Sequence, residues 1–440
     1  MPSRRSIWSL LVLCTLLGAC DKKVLRENVK LPPAQGGPST PGPSLDGGVI
    51  VDEPDAEVGA PEGGASEVVD DGPTEFSKAN LLEAAGKCAL ASFRVFAERA
   101  EALEQATQRW ADDSTDANAA AARAAFRAAM DSFQRAELFR FGPAAPATEP
   151  GGKGLRDQIY AFPHQSACKV DEQLVNQAYA SADFGSTTPI GRGLAALEYL
   201  DYYVGADNAC AASLAINADG SWQKLSESEL RTRRSAYAAA VASDIARYAK
   251  LLLRAFAPAP EGDDFVNELA TAGRGSKAYS TEQAALNALS HALYYVEIEV
   301  KDYKLALPLG ISPNCTTGST CPNAVESPYA RVSTGNIAAN LRGFRALFQG
   351  CGTDHAGLGF DDWLEAVGQG ALAASMLKAL DGAEAAVRDL SPPIERAIVE
   401  DPTRVREVYD ALKALTDQLK QQFISVLDLN PPMSAEGDND

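Results

Sequence analysis

Histidine is scarce in this chain, with three among 440 residues. No Cys-x-x-Cys pair occurs either, so the usual nitrogen and sulfur donor sets for zinc cannot be assembled. Neither His-Glu-x-x-His nor Gly-x-Ser-x-Gly is present, which removes the common metalloprotease and serine-hydrolase motifs. A P-loop and a dinucleotide fingerprint are also missing; "GRGLAALE" (191–198) has two glycines but no strand before it. Positive charge is short, at 40 Lys and Arg against 59 Asp and Glu. The resulting net charge of −19 argues against a nucleic-acid partner, which would need a basic surface. Segments in which Val, Ile or Thr alternate with polar residues are rare, so convincing strands are lacking. Beyond the first twenty residues no apolar run is long enough to cross a bilayer.

Those first twenty residues have their own logic. "MPSRR" is a basic n-region, and "SIWSLLVLCTLL" is an apolar stretch too short for a comfortable span. "LGAC" then matches a bacterial lipobox ending at Cys20. Residues 1–19 are therefore expected to be a lipoprotein signal peptide, with Cys20 lipidated and the chain held at an envelope membrane, facing the periplasm, by lipid rather than by a helix. Whether that is the inner or the outer membrane is left open. Of the eight cysteines, Cys14 leaves with the signal and Cys20 takes the lipid. The remaining even number, in an oxidising compartment, suggests disulfides. The expected pairs are Cys315–Cys321 across "CTTGSTC", Cys168–Cys210 and, by exclusion, Cys88–Cys351.

Residues 20–77 read as a linker. "LPPAQGGPSTPGPSLDGG" is rich in Pro, Gly and Ser, and from Asp46 to Glu75 there are acidic residues but no Lys or Arg. Such a segment buries too little apolar surface to fold, and its like charges keep it extended. From about Ser77 the pattern becomes helical, with apolar residues three and four apart. After the long opening stretch and an Ala-rich one at 115–140, "GPAAPATEPGG" (142–152) breaks the pattern. Further helices are expected at 155–160, 169–181, 190–204, 227–257, 281–303, 334–349, 361–390 and 401–427, punctuated by "SPP" and "DP". The fold class is thus all-α, as two packed antiparallel helical bundles over 78–430, with the boundary between them at roughly 210–260.

Within that frame "RGLAALEYLDYY" (192–203) places Glu198 among apolar neighbours. On a helix, Leu194, Ala195, Glu198, Asp201 and Tyr202 share one face. Two carboxylates a turn apart beside a phenol could form a hard-cation or acid–base site. The bland alternative is a carboxylate neutralised by a buried arginine such as Arg192 or Arg140.

The same stretch resembles the central motif of the imelysin family, also called the M75 peptidases. Four more segments resemble that family in the same order: "FQRAELFRFG" (133–142), "LRDQIYAFPHQSACKVDEQL" (155–174), "KDYKLALPLG" (301–310) and "VESPYARVSTGNIAANLRGF" (325–344). The resemblance covers roughly 78–427. It implies a two-bundle helical fold with a site between the bundles. The family motif Gly-x-His-x-x-Glu falls on Gly193 and Glu198, but its His position is Ala195, which removes a metal ligand or base from any peptidase mechanism. Other members are tied to iron uptake or to periplasmic metal binding.

Several residues join Glu198 as candidates. His164 lies in the second segment and could approach from a neighbouring turn; His291 and His355 are expected to be structural. Asp171 matches the family's Asp. Glu137 and Arg140, three apart, suit a salt bridge. Glu326 and Ser327 lie on a loop leading into a helix, for which Ser333 is an N-cap candidate. The metal or ligand candidates are therefore Glu198, Asp201, Asp171, His164, Glu326 and Ser327, with Gly193, Arg140, Glu137 and Tyr202 lining the cleft. The expected function is binding of a divalent metal, iron or a small ligand in that cleft. The alternatives are an M75-type metallopeptidase and a non-catalytic interaction scaffold.

Overall fold

A computed structural model describes residues 75–432. The expected signal peptide, the lipidation site Cys20 and nearly all of the linker lie outside the described residues. Among the described residues the regular structure is helical throughout, and no helix is long and apolar enough to cross a membrane.

Two long helices open the fold: α1 (Lys78–Asp112) and α2 (Asp116–Ala136). Ser77 and Thr115 cap them, each accepting from the backbone N–H three residues on. Short α3 (Leu155–Ile159) and α4 (Ala167–Asn176) lead to α5 (Gly193–Tyr202). After the one-turn α6 (Ala215–Ala218), α7 (Glu227–Phe256) starts with a full capping box between Ser226 and Glu229. α7 and α8 (Phe265–Ala270) both pack on α1, and α5 fills the space between α2 and α7. Residues 271–281 then connect α8 to α9.

The second bundle begins with α9 (Glu282–Leu293), which widens into an eleven-residue π-helix at Val296–Ala306. α10 (Ser333–Phe348), α11 (Phe360–Ala366), α12 (Gly370–Arg388), α13 (Ile394–Glu400) and α14 (Pro402–Gln418) follow. A π-turn (Leu419–Phe423) joins α14 to α15 (Ile424–Leu427). The helix expected over 361–390 is split, because Gly368 takes φ +78° and closes α11.

The two bundles meet where α10 packs on α2. Gly343 permits that approach, since a Cβ there would lie 2.5 Å from the Arg135 carbonyl oxygen. All three expected disulfides are present: Cys88–Cys351, Cys168–Cys210 and Cys315–Cys321. Cys88–Cys351 ties α1 of the first bundle to the loop after α10 of the second.

Candidate functional site

Every residue of α5 is buried, which makes it the central helix of the first bundle. Its start is set by Gly193, with φ +74°; a Cβ there would sit 2.4 Å from the Ile159 carbonyl oxygen. Arg192, just before it, is 1 % exposed and donates to Asp244 of α7 at 2.7 Å and to the Thr187 and Gln158 carbonyls. These anchors aim Glu198 at the second bundle.

Glu198 is 2 % exposed. Its Oε1 accepts from the backbone N–H of Tyr329 at 2.9 Å and of Ala330 at 3.0 Å, and the Ser327 side chain supplies a further hydrogen bond. Neither Arg192 nor Arg140 neutralises it. Arg192 is committed to Asp244, and Arg140 pairs with Glu299 at 3.5 Å. Burial pushes the Glu198 carboxyl up to about 8, and nearby Glu326 adds to the rise, against the lowering effect of the two N–H donors.

Beyond Glu198 lies a buried polar network that joins the bundles. Glu326 Oε1 accepts from Lys304 Nζ at 2.9 Å, Tyr160 at 2.9 Å and Gln134 at 3.1 Å. Lys304, projecting from the π-helix, also donates to Gln134 at 2.6 Å and to Asn340 of α10 at 2.7 Å. Glu137 accepts from Arg156 at 2.8 Å and from Tyr295 at 2.5 Å. On the far side, Glu395 accepts from the Ser333 N–H at 2.9 Å, and burial together with Glu326 raises its carboxyl. One oxygen of Glu326 and one of Glu395 are buried with no hydrogen-bond partner.

The structure thus brings Glu198, Glu326, Ser327 and Glu137 to one junction and leaves other candidates apart. Asp201 is not paired with Glu198. Because α5 is surrounded on all sides, the turn between them sends Asp201 toward Arg123 of α2, with neither carboxylate oxygen hydrogen-bonded. Burial raises its carboxyl well above the ordinary range. Tyr202 also faces α2, accepting from Arg127 at 3.0 Å. Asp171 holds the Tyr199 hydroxyl and the Ala209 N–H, and burial lifts it to about 7. It touches the site indirectly, through the Tyr199 ring against Tyr329 at 5.0 Å. His164 is exposed, in the loop before α4. His291 and His355 bond to the Asn430 and Gly350 carbonyls.

Two local expectations are corrected. Glu137 and Arg140 do not pair, because α2 ends at Ala136 and the helical spacing between them is lost. Ser333 does not cap α10; it is the first helical residue, and its hydroxyl accepts from the Ser327 N–H at 3.0 Å. The residues missed from sequence were Lys304, Tyr160, Gln134, Asn340 and Glu395. Lys304 had a local signal, as a lysine inside the apolar "YKLAL", and Gln134, Tyr160 and Asn340 lie within the family-like segments.

In kind, the donors at this junction fit a hard cation: carboxylates with hydroxyl and amide oxygens. Among the described residues, however, no three His, Cys, Asp or Glu side chains are grouped closely enough to hold a metal by themselves. A cation here would draw on Glu198 and Glu326 with Ser327 and water.

An all-α protein of two bundles, with a carboxylate from one received by a loop of the other, is the class these features define. The imelysin (peptidase M75) family model matches residues 89–422, and the chain belongs to that family. Two solved structures share the fold. One is an imelysin-like protein from Psychrobacter arcticum 273-4, at 16% identity and TM-score 0.58, covering 82% of this chain and 99% of its own. The other is a candidate iron-regulated protein A precursor from Parabacteroides distasonis ATCC 8503, at 14% identity and TM-score 0.62, covering 81% and 97%. No curated protein gives a significant match.

Proposed function

We propose that this protein is a lipid-anchored component of the bacterial envelope that binds a hard cation, iron first among them, or a small ligand at the Glu198 junction. The observation that carries the reading is a surplus of buried acceptors. Glu326 Oε2 and Glu395 Oε2 lack donors, while Glu198 holds its proton up to about pH 8. Unsatisfied buried acceptors are costly, and a cation would relieve them. The iron-regulated description of one structural neighbour supports testing iron first. The lipobox at Cys20 supports the envelope location. An M75-type metallopeptidase is the weaker reading, because Ala195 supplies no ligand or base where the family motif has His.

A second reading rests on the burial of Glu198, at 2 % exposure. Under it the junction is purely structural and the helical surface serves as a scaffold. Calorimetric titration with ferric and ferrous iron, zinc and calcium separates the two, using protein from residue 21 onward and its Glu198→Gln variant. Micromolar binding lost in the variant is the expected result. Absence of binding by every cation in the wild type overturns the cation reading.

A further inference from the structure

A hollow that shares no lining residue with the Glu198 junction lies between α10 and α12. Its volume is about 320 Å³, and it is lined by Ala338, Arg342 and Arg345 of α10, Glu384 and Arg388 of α12, and His355. The spacing explains the convergence: positions 338, 342 and 345 share one face of α10, and 384 and 388 share one face of α12.

The charges in the hollow are not equally committed. Arg345 is spent on its own support, donating to both oxygens of Glu384 at 3.0 and 2.8 Å, to Asp381 at 2.6 Å and to Gln349 at 3.0 Å. That fork neutralises Glu384, the one acid in the lining, and fixes the floor. Arg342 gives one nitrogen to Asp131 at 2.5 Å, and its other N–H groups have no partner among the described residues. Arg388 is 64% exposed and has only a 3.6 Å contact with its neighbour Asp389. Such an exposed contact holds a side chain weakly. His355 bonds the Gly350 carbonyl at 2.9 Å through Nδ1, so Nδ1 carries the proton and the ring serves to wall the hollow. Both Asp354 and His355 take left-handed backbone conformations, with φ +54° and +58°. Strain of this kind in non-glycine residues gathers at ligand clamps.

We infer that this hollow binds a small organic polyanion, a di- or tricarboxylate or a phosphate ester, between Arg342 and Arg388. Arg342, through the N–H groups it does not give to Asp131, and the weakly held Arg388 favour a ligand with at least two oxyanion groups, since each guanidinium can donate to one of them. The volume is too large for a lone inorganic anion and lies at the lower end for small-molecule pockets.

The test is calorimetry of the full chain with citrate and with pyrophosphate, at low and at high sodium chloride, with acetate as the monoanion control. Sub-millimolar binding of at least one probe at low salt is expected, weakened by salt and absent for acetate. Arg342→Gln with Arg388→Gln should lower affinity about tenfold or more, and Arg388→Gln alone should do so in part. Its exposure makes that single variant safe for folding. Glu198→Gln should leave this binding unchanged, so failure here and failure at the cation site are separable. No binding of either probe at low salt, or binding unaltered in the double variant, overturns the inference.

Discussion

Replacing Glu198 by Gln should stabilise the cation-free protein at neutral pH, the reverse of the usual outcome for a buried polar substitution. Glu198 has a folded pKa of about 8 against an ordinary value of 4.5. Between those values the folded state keeps the proton and the unfolded state releases it, so stability falls as pH rises from 4.5 to 8. At pH 7.5 the proton is held three pH units above its ordinary value, at ~1.4 kcal/mol each, an upper bound of about 4 kcal/mol. Interaction with Glu326 blurs that figure, and about 2–4 kcal/mol is the working range. Glutamine keeps the carbonyl that accepts from Tyr329 and Ala330, and its amide can donate toward the unpartnered Glu326 oxygen. Urea unfolding of both proteins at pH 5 and pH 7.5, with chelator present, reads the effect directly. The expected result is a stability gain at pH 7.5, or about 3–5 °C in Tm, that shrinks toward zero at pH 5. A variant less stable than wild type by the same amount at both pH values would refute the argument, since the carboxyl would then be ionised and favourably solvated in the fold.

Other outcomes follow from the same geometry. Lys304→Met removes the cation facing Glu326 and Glu137. It should destabilise the protein by about 3–5 kcal/mol, read by denaturant titration, because the partner carboxylates stay buried. Gly193→Ala forces a Cβ to 2.4 Å from the Ile159 carbonyl at φ +74°. A loss of about 2–4 kcal/mol is expected, and an unchanged Tm would show that the start of α5 is not held as described.

The helices were legible because each buries one apolar stripe, and that periodicity is written locally; in the structure Ser77 and Ser226 cap two of the starts. Breaks were less legible. Gly368 closes α11 inside a stretch that reads as one helix, and the widening into a π-helix at Val296 has no marker in "ALYYVEIEVKDY". The candidate site was legible in part. Glu198, Glu326, Ser327 and Glu137 were identified and do meet, while Asp201, Tyr202 and His164 face elsewhere. Helical spacing gives angles on one helix, but α5 is enclosed, and a modest rotation changes which neighbour a side chain meets.

Sequence alone determined the all-α class, the two-bundle plan and the family, because periodicity and ordered motifs are properties of the chain read in line; cysteine parity called for disulfides, and the structure decided which pairs form. Tertiary structure decided the partners of the buried charges. Lys304 faces Glu326, Arg192 faces Asp244 and Glu198 faces two backbone N–H groups. In low dielectric a charge is governed by whatever lies within a few ångströms, and for these residues those groups arrive from 22 to 132 positions away in sequence.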